Sequence, residues 1–515
     1  MNVNVEAMSG KDDTLFGHPK GLYICFATEL WERFSFYGMK YLLLLYLTKY
    51  HLFTDEAGLD VLGAYAGLVY AMPVIGGMLA DRYLGMRKAV TFGGILLVLG
   101  HLGMAIEGTQ AVLQNGAVVR DAGAIQVFYF SLSLIVMGVG FLKPNISTIV
   151  GRLYAEKDPR RDGGFTIFYM GINVGSFFAT ILCGWLGERY GWRYGFGAAG
   201  IGMVLGLITF TWGQKFLHGK AEPAEPALLK EKVFGIQREW LIYLGAIAGL
   251  LLVWQVVQFN WLVHDILVGL SVVVLLGLAY FLAKHCTPDE RSRMIVLIIL
   301  TASTVVFWAL FEQSSASMTL FADRIIDRDL GIVEVTAAQV GSLNALFIML
   351  LAPLFAWLWT SLAKRGWEPS TPVKFALGIV QAGLGFGALV IGAQVPDAAG
   401  KVAIIWIVLA YLLHTMGELC LSPVGLSAVT KLAVPKVVGV MMGSWFLATA
   451  YAELVAAQIS KLAAIKTDAG AVTDMTGALA TYSELFSKLL WIGVGFGLVM
   501  LVVSPLLRRG MRGVH

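Results

Sequence analysis

Residues 21–48 read GLYICFATELWERFSFYGMKYLLLLYLT. The stretch is long and apolar enough to cross a bilayer, yet it carries Glu29, Glu32, Arg33 and Lys40. On an α-helix, Glu29, Glu32, Arg33, Phe36, Tyr37 and Lys40 fall at i, i+3, i+4, i+7, i+8 and i+11, one stripe of one face. A charged stripe flanked by Leu30 and Leu42–Leu45 cannot face lipid, so it lines a cavity or a partner helix. A lone helix of this kind cannot exist. The reading is an all-α polytopic membrane protein.

The rest of the chain agrees. Of 515 residues 57% are hydrophobic and only 14% charged, too few charges to cover a soluble globule. Fibrous, disordered, disulfide-rich and nucleic-acid-binding classes are excluded by the same composition. Charge clusters and turn signals cut the chain into about fourteen candidate helices. They lie at roughly 20–50, 61–80, 89–107, 124–150, 164–187, 194–216, 240–260, 264–283, 294–322, 335–363, 373–394, 401–431, 437–463 and 484–507. Residues 1–20 are mixed polar and lack the pattern of a cleaved signal, so insertion without cleavage is expected. Cys25, Cys183, Cys286 and Cys420 are scattered singly, without metal-ligand or redox spacing.

Bases are biased to one side. Arg82, Arg87 and Lys88, then Arg152, Lys157, Arg160 and Arg161, then Lys364, Arg365, Arg508 and Arg509 share alternate loops. The opposite loops are acidic (Asp55, Glu56, Asp60; Asp323, Asp327, Asp329). The positive-inside rule then puts both termini in the cytoplasm. The segment 218–240, with Pro223, Pro226 and mixed charge, divides the chain. The expected domains are an N-terminal six-helix bundle (1–217), a linker with an extra helix pair (218–290) and a C-terminal six-helix bundle (291–515). That 6+2+6 plan suggests two related six-helix bundles, the arrangement of the major facilitator fold.

Charges inside spans mark ion or substrate paths. Besides the stripe on the first helix they are Lys143, Glu312, Glu418 and Glu453. The stripe serves either as a salt-bridge seam or for proton coupling, where burial and a neighbouring cation pull a carboxyl in opposite directions. Lys143 precedes Pro144 far from a helix end, which favours a buried pair over a snorkelling lysine; Glu418 is its natural partner. Glu453 has no such context and reads as structural. Tyr70, Asn173, Gln313, Asn344, Ser422, Trp308 and Trp445 are packing residues one by one, or together the wall of an amphoteric cavity suited to a zwitterion. The loop Gly76–Lys88 is either a plain basic loop or a latch in which Asp81 pairs with Arg82, Arg87 or Lys88 when the cytoplasmic side is closed.

These residues resemble the proton-coupled oligopeptide transporter family of the major facilitator superfamily, bacterial branch. The resemblance is carried by Glu29-Leu-Trp-Glu-Arg33-Phe-Ser-Phe-Tyr37-Gly, Gly76–Lys88, Gly140-Phe-Leu-Lys143-Pro-Asn, Phe168-Tyr-Met-Gly-Ile-Asn173-Val-Gly-Ser, Phe307-Trp-Ala-Leu-Phe-Glu312-Gln and Gly417-Glu418-Leu-Cys-Leu-Ser-Pro. It implies a symporter that imports di- and tripeptides with protons by alternating access. Glu29 and Glu32 would couple protons, and Arg33 with Lys143 would receive the peptide carboxylate. Glu418, assisted by Asn173 and Asn344, would receive its amino group. Tyr37, Tyr70, Trp308 and Trp445 would line side-chain pockets, with Ser422 beside them. Lys40–Glu312 and Lys143–Glu418 would be gate salt bridges.

Two departures stand out: Phe36 replaces a tyrosine common in the family, and the second helix lacks the histidine of animal members. The expected partners are peptides, protons and membrane lipid. No nucleic acid, metal or cofactor is expected, and the chain is expected to act as a monomer in a bacterial inner membrane. The rival cargo is nitrate, an amino acid or another small anion. An enzyme or receptor has no nucleophile–base set, metal spacing, nucleotide loop or long extramembrane segment to support it.

Overall fold

In hydrocarbon every backbone donor and acceptor must be satisfied within its own segment, so long apolar runs become helices. A computed structural model describes residues 13–155, 158–223, 225–468 and 471–513; Lys157 lies outside them. Fourteen long helices follow in order. They are α1 Lys20–Lys49, α2 Asp55–Leu79, α3 Met86–Met104, α4 Ala122–Leu153, α5 Arg161–Tyr190, α6 Trp192–Gly213, α7 Arg238–Val256, α8 Asn260–His285, α9 Pro288–Phe311, α10 Ser342–Lys364, α11 Thr371–Ala393, α12 Ile405–Leu432, α13 Val438–Ser460 and α14 Met475–Gly510. Among the described residues twelve spans are apolar and long enough to cross a membrane on those grounds alone. Of the other two, α1 carries the charged stripe and α3 opens on Arg87 and Lys88.

Helix starts follow local chemistry. The Thr54 hydroxyl caps α2 by accepting from Ala57 N, Asp121 caps α4 through Ala124 N at 3.0 Å, and Thr287 with Glu290 forms a capping box on α9. Asp474 likewise starts α14 nine residues before the expected position; its first turns are polar enough to project beyond the apolar layer. Between α3 and α4 a short antiparallel hairpin pairs Val112 with Val119, turning through Asn115 and Gly116 at positive φ.

In the first half α1 packs on α5 and α6, and α4 on α2 and α3; in the second, α11 packs on α12 and α14, and α9 on α13. Gly76 of α2 sits against the Gly140 backbone of α4, where any Cβ would clash. Pro144 has no N–H for that Gly140 carbonyl, and the bare glycine lets α2 cover it. The α7–α8 hairpin touches both halves. In the first half the Phe92 and Tyr243 rings lie 4.8 Å apart on the α3 side, Phe130 of α4 meets Trp254 of α7, and Leu267 of α8 reaches Gly67 of α2; in the second, α8 packs on α13.

The span expected as one helix over 294–322 is broken. After α9 comes a 3-10 turn, Glu312–Ser315, then Ala316 (φ −118, ψ −105), then a short helix Ser317–Arg324. The run Gln313-Ser-Ser-Ala-Ser317 causes the break. Its short polar side chains serve backbone groups that the helix would otherwise use: Thr319 donates to Ser314 O at 2.8 Å, and Gln313 donates to Ala456 O of α13 at 3.0 Å. The break puts Glu312 at the end of α9, aimed at α1.

Candidate functional site

The α1 stripe faces inward, as its spacing requires. Glu29, Glu32, Arg33 and Lys40 are all buried. Arg33 holds Glu32 through two contacts, one of them Nη2 to Oε1 at 2.6 Å, and its Nε lies 3.2 Å from Glu29 Oε1. The guanidinium rests over the Phe36 ring, 5.0 Å from its centre. At this position the aromatic face, rather than a hydroxyl, supports the arginine. The second Glu29 oxygen is buried without a hydrogen-bond partner among the described residues.

One turn pair further along, Lys40 Nζ donates to Glu312 Oε2 at 2.8 Å and to Glu453 Oε1 at 2.9 Å. This triad ties α1 to both α9 and α13. More pairs join the halves at the same acidic end. Arg324 grips Asp55 through two hydrogen bonds of 2.6 and 2.7 Å, Lys49 meets Asp323 at 2.6 Å, Arg189 meets Glu334 at 2.6 Å, and Lys461 pairs with Asp60.

The base-rich end is arranged differently. Toward the acidic side α2 meets α13, with Gly63 on Ala457 and Gly67 on Ala450 and Leu454, whereas Gly439 and Gly443 near the other end of α13 face open space. Among the described residues the ion pairs here include Arg87 with Glu222, Lys88 with Glu239 at 2.6 Å, and Arg512 with Asp289, each within one half or with the linker. The ion pairs described between the halves thus cluster at the acidic end and around Lys40.

Between the ends the two halves face each other with opposite charge. Lys143 of α4 forms no ion pair among the described residues; its ammonium lies 4.5 Å from the centre of the Tyr70 ring. Glu418 of α12 accepts from Asn344 Nδ2 at 3.0 Å, and the same amide reaches Thr415 Oγ1 at 3.1 Å. Tyr37 stands between the halves, in electrostatic reach of Arg33, Lys40, Glu312 and Glu418. Trp308 Nε1 is buried without a partner among the described residues, and Trp445 meets Phe375 edge-on. Ser422 is half-buried on α12, four residues past Glu418.

Comparison with known proteins decides the family. The sequence model of the POT family matches residues 87–476. The chain belongs to the POT family. An uncharacterized transporter of Bacillus subtilis (strain 168) is 39% identical over 97% of this chain and 96% of its own length. The peptide transporter YePEPT of Yersinia enterocolitica is 38% identical (87% and 88%), and a di-/tripeptide transporter of Lactococcus lactis is 34% identical (94% and 98%). A crystal structure of a mutant POT peptide transporter with alafosfalin superposes with a TM-score of 0.81 at 35% identity, covering 97% of each chain. A POT family transporter in complex with 5-aminolevulinic acid gives 0.79 at 29% identity, covering 96% and 98%.

Within this POT family chain several expected partnerships are rearranged. Lys143 and Glu418 do not pair: Lys143 lies against the Tyr70 ring and Glu418 accepts from Asn344. Asn173 does not reach Glu418: its side-chain amide donates to Tyr169 O of its own helix at 3.1 Å. The Asp81 latch is not formed either. Asp81 and Arg82 are exposed, and Arg87 and Lys88 turn instead to the acids of the linker and α7.

Glu453, read as structural, sits in the Lys40 triad. Sequence reasoning also missed Asp55 and Arg324, the first read as an acidic loop residue and the second passed over. The signal available was an arginine, Arg324, closing a long apolar run on the side whose loops are otherwise acidic.

Proposed function

We propose that this POT family member is a proton-coupled symporter that imports di- and tripeptides by alternating access. One observation carries the proposal: Tyr37, between the halves, lies in electrostatic reach of Arg33 on one half and of Glu418, held by Asn344, on the other, and Lys143 and Glu418 are left unpaired with each other. Two cations at one end and a carboxylate at the other suit a zwitterion whose termini are a few ångströms apart. Binding would draw the halves together at the base-rich end. The printed names of relatives, peptide and di-/tripeptide transporters, support the cargo.

With the base-rich end cytoplasmic, as the positive-inside rule prefers, both termini are inside and this conformation is open inward. The acidic-end ion pairs are then the outer gate. Arg33, Glu29 and Glu32 form the proton-coupling set: a carboxylate arriving at Arg33 competes with Glu32 and changes its hold on a proton. We place the chain in a bacterial inner membrane, working as a monomer among lipid, with the proton as coupling ion and no other cofactor.

The test is uptake of labelled dialanine into proteoliposomes under an imposed proton gradient. Wild type should concentrate peptide, and Glu32→Gln should lose gradient-driven uptake while keeping downhill exchange. Equal, gradient-independent uptake by both would reject the coupling. A second reading has one observation in its favour: a solved relative holds 5-aminolevulinic acid, which also carries an amine and a carboxylate. Competition by dialanine, 5-aminolevulinic acid and nitrate separates peptide, amino acid and small-anion cargo.

A further inference from the structure

The charges buried in the spans do not balance evenly. Glu29, Glu32, Arg33 and Lys143 sum to zero. Glu418 is alone, and under the proposed function a peptide amino group balances it. The Lys40 triad is different. Two carboxylates, Glu312 and Glu453, share one ammonium at 2.8 and 2.9 Å, and Lys40, Glu312 and Glu453 are only 2%, 7% and 3% exposed. One negative charge is left over in a place sealed from water.

The surroundings do not supply the missing cation. Tyr37 and Tyr41 of α1, Tyr65 and Tyr70 of α2 and Tyr411 of α12 face the triad, with Glu418 beyond Glu312. The next cations are Arg33, held by Glu32, and Lys143 on the cargo wall. An ionised carboxylate buried without its own counter-charge is costly, and two carboxylates this close to one ammonium relieve the cost by sharing a proton. A second observation points the same way. The Tyr65 hydroxyl is fully buried and has no hydrogen-bond partner among the described residues. It lies in electrostatic reach of Glu32 and Arg33 on one side and of Lys40 and Glu453 on the other. A hydroxyl there can accept and donate in turn between the two acid clusters.

We propose that Glu453 is a proton-binding residue of this transporter, sharing one proton with Glu312 over Lys40. The step is a simple transfer: a proton from water forms an O–H bond on one carboxylate, no electrons move, and that acid ceases to be a counter-ion for Lys40. Because Lys40 belongs to the first half and both acids to the second, proton occupancy sets whether one or two ionic ties close the outer end. The gating role rests on the symport reading; the proton site itself does not.

The test therefore begins without substrate. Infrared difference spectra of the purified full chain, taken across a pH titration, report the C=O stretch of protonated carboxyl groups. Wild type should show a titrating band that disappears in Glu453→Gln and also in Glu312→Gln, since either change leaves one carboxylate on one ammonium. Glu32→Gln should keep it. An undiminished band in Glu453→Gln overturns the proposal. Should Glu453→Gln fail to fold, Glu453→Asp keeps the charge and must move the midpoint of the band; an unmoved midpoint overturns the proposal equally. In proteoliposomes Glu453→Gln should lose stimulation by a proton gradient and keep peptide counterflow. Full gradient stimulation in the variant would refute the gating role. A wild type that shows the Glu453-dependent band but moves no peptide would reject the transport reading and leave the proton site standing.

Discussion

Replacing Asp55 by asparagine tests whether the acidic-end ion pairs hold a gate. Both Asp55 and Arg324 have side chains only 3% exposed, and Asp55 accepts two bonds from Arg324 and one from Ile465 N at 3.0 Å. Tyr482 adds a bond to Arg324 at 3.2 Å. Asp55→Asn leaves the guanidinium buried without its counter-charge, a loss of about 3–5 kcal/mol when a partner is simply removed. The amide oxygen still accepts one bond, so about 2–3 kcal/mol is the expected loss, on the same scale. Opening the outer end hydrates Arg324 and recovers that loss, so the closed-to-open ratio should fall about 30- to 150-fold.

The assay is alkylation of Ala338→Cys in a Cys286→Ser background by a membrane-impermeant maleimide. Ala338 is fully buried under Glu188, whose carboxylate accepts from Ala338 N at 2.8 Å, and the other native cysteines are buried. Asp55→Asn should raise the labelling rate at least tenfold, and adding Arg324→Gln, which removes the stranded charge, should bring it part of the way back. An unchanged rate in a well-folded Asp55→Asn protein would refute the gate assignment.

Other consequences are as direct. Glu418→Gln removes the carboxylate proposed to hold a peptide amino group and should raise the inhibition constant of dialanine by roughly tenfold or more, about 1.4 kcal/mol or above, measured by competition; an unchanged constant would move the amino-group site elsewhere. Gly76→Val places a branched side chain against the Gly140 backbone and should destabilise the first half by about 1–3 kcal/mol, read as a lower melting temperature in detergent. His51, in the loop between α1 and α2, is packed against Tyr46 and Tyr50 with neither ring nitrogen hydrogen-bonded among the described residues, and burial followed by the Arg120 charge lowers its pKa to about 4. The unfolded chain then takes up the proton first, so His51 leaves stability intact above its ordinary value and erodes it as the pH falls from there toward 4. Melting temperatures of His51→Phe should decline less than those of wild type across that window, and parallel declines would contradict the assignment.

Much of this was legible in the chain, and the reasons are physical. The stripe on α1 follows from helical period alone, and lipid leaves such a stripe only the interior. Isolated charges in apolar spans are equally plain, because each one is too costly to be accidental. Partners were legible only in part: the family resemblance supplied Lys40–Glu312, an ion pair the structure forms, and little else. Lys40 reaches Glu453, 413 positions away, and nothing local distinguishes an acid that meets a lysine from one that packs alone. Asp55 looked topogenic because it sits in an acidic loop, yet folding turns that loop inward onto Arg324. The break at Glu312 was hidden by hydropathy: the flanking Phe, Trp, Leu and Met residues keep the run apolar on average while the Ser and Thr hydroxyls compete for its backbone. The Lys143–Glu418 pair was placed by equivalent position in the two halves and the Asp81 pair by the charges of its own loop, and neither argument fixes the distance that folding leaves between partners.

Coupling of peptide to proton is the central claim, and one measurement reaches it most directly. Proteoliposomes loaded with a pH-sensitive dye, at equal pH on both sides, receive an inward gradient of dialanine. The account predicts acidification of the lumen that follows peptide entry and vanishes in Glu32→Gln. Peptide entry at the wild-type rate with no change in luminal pH would contradict it.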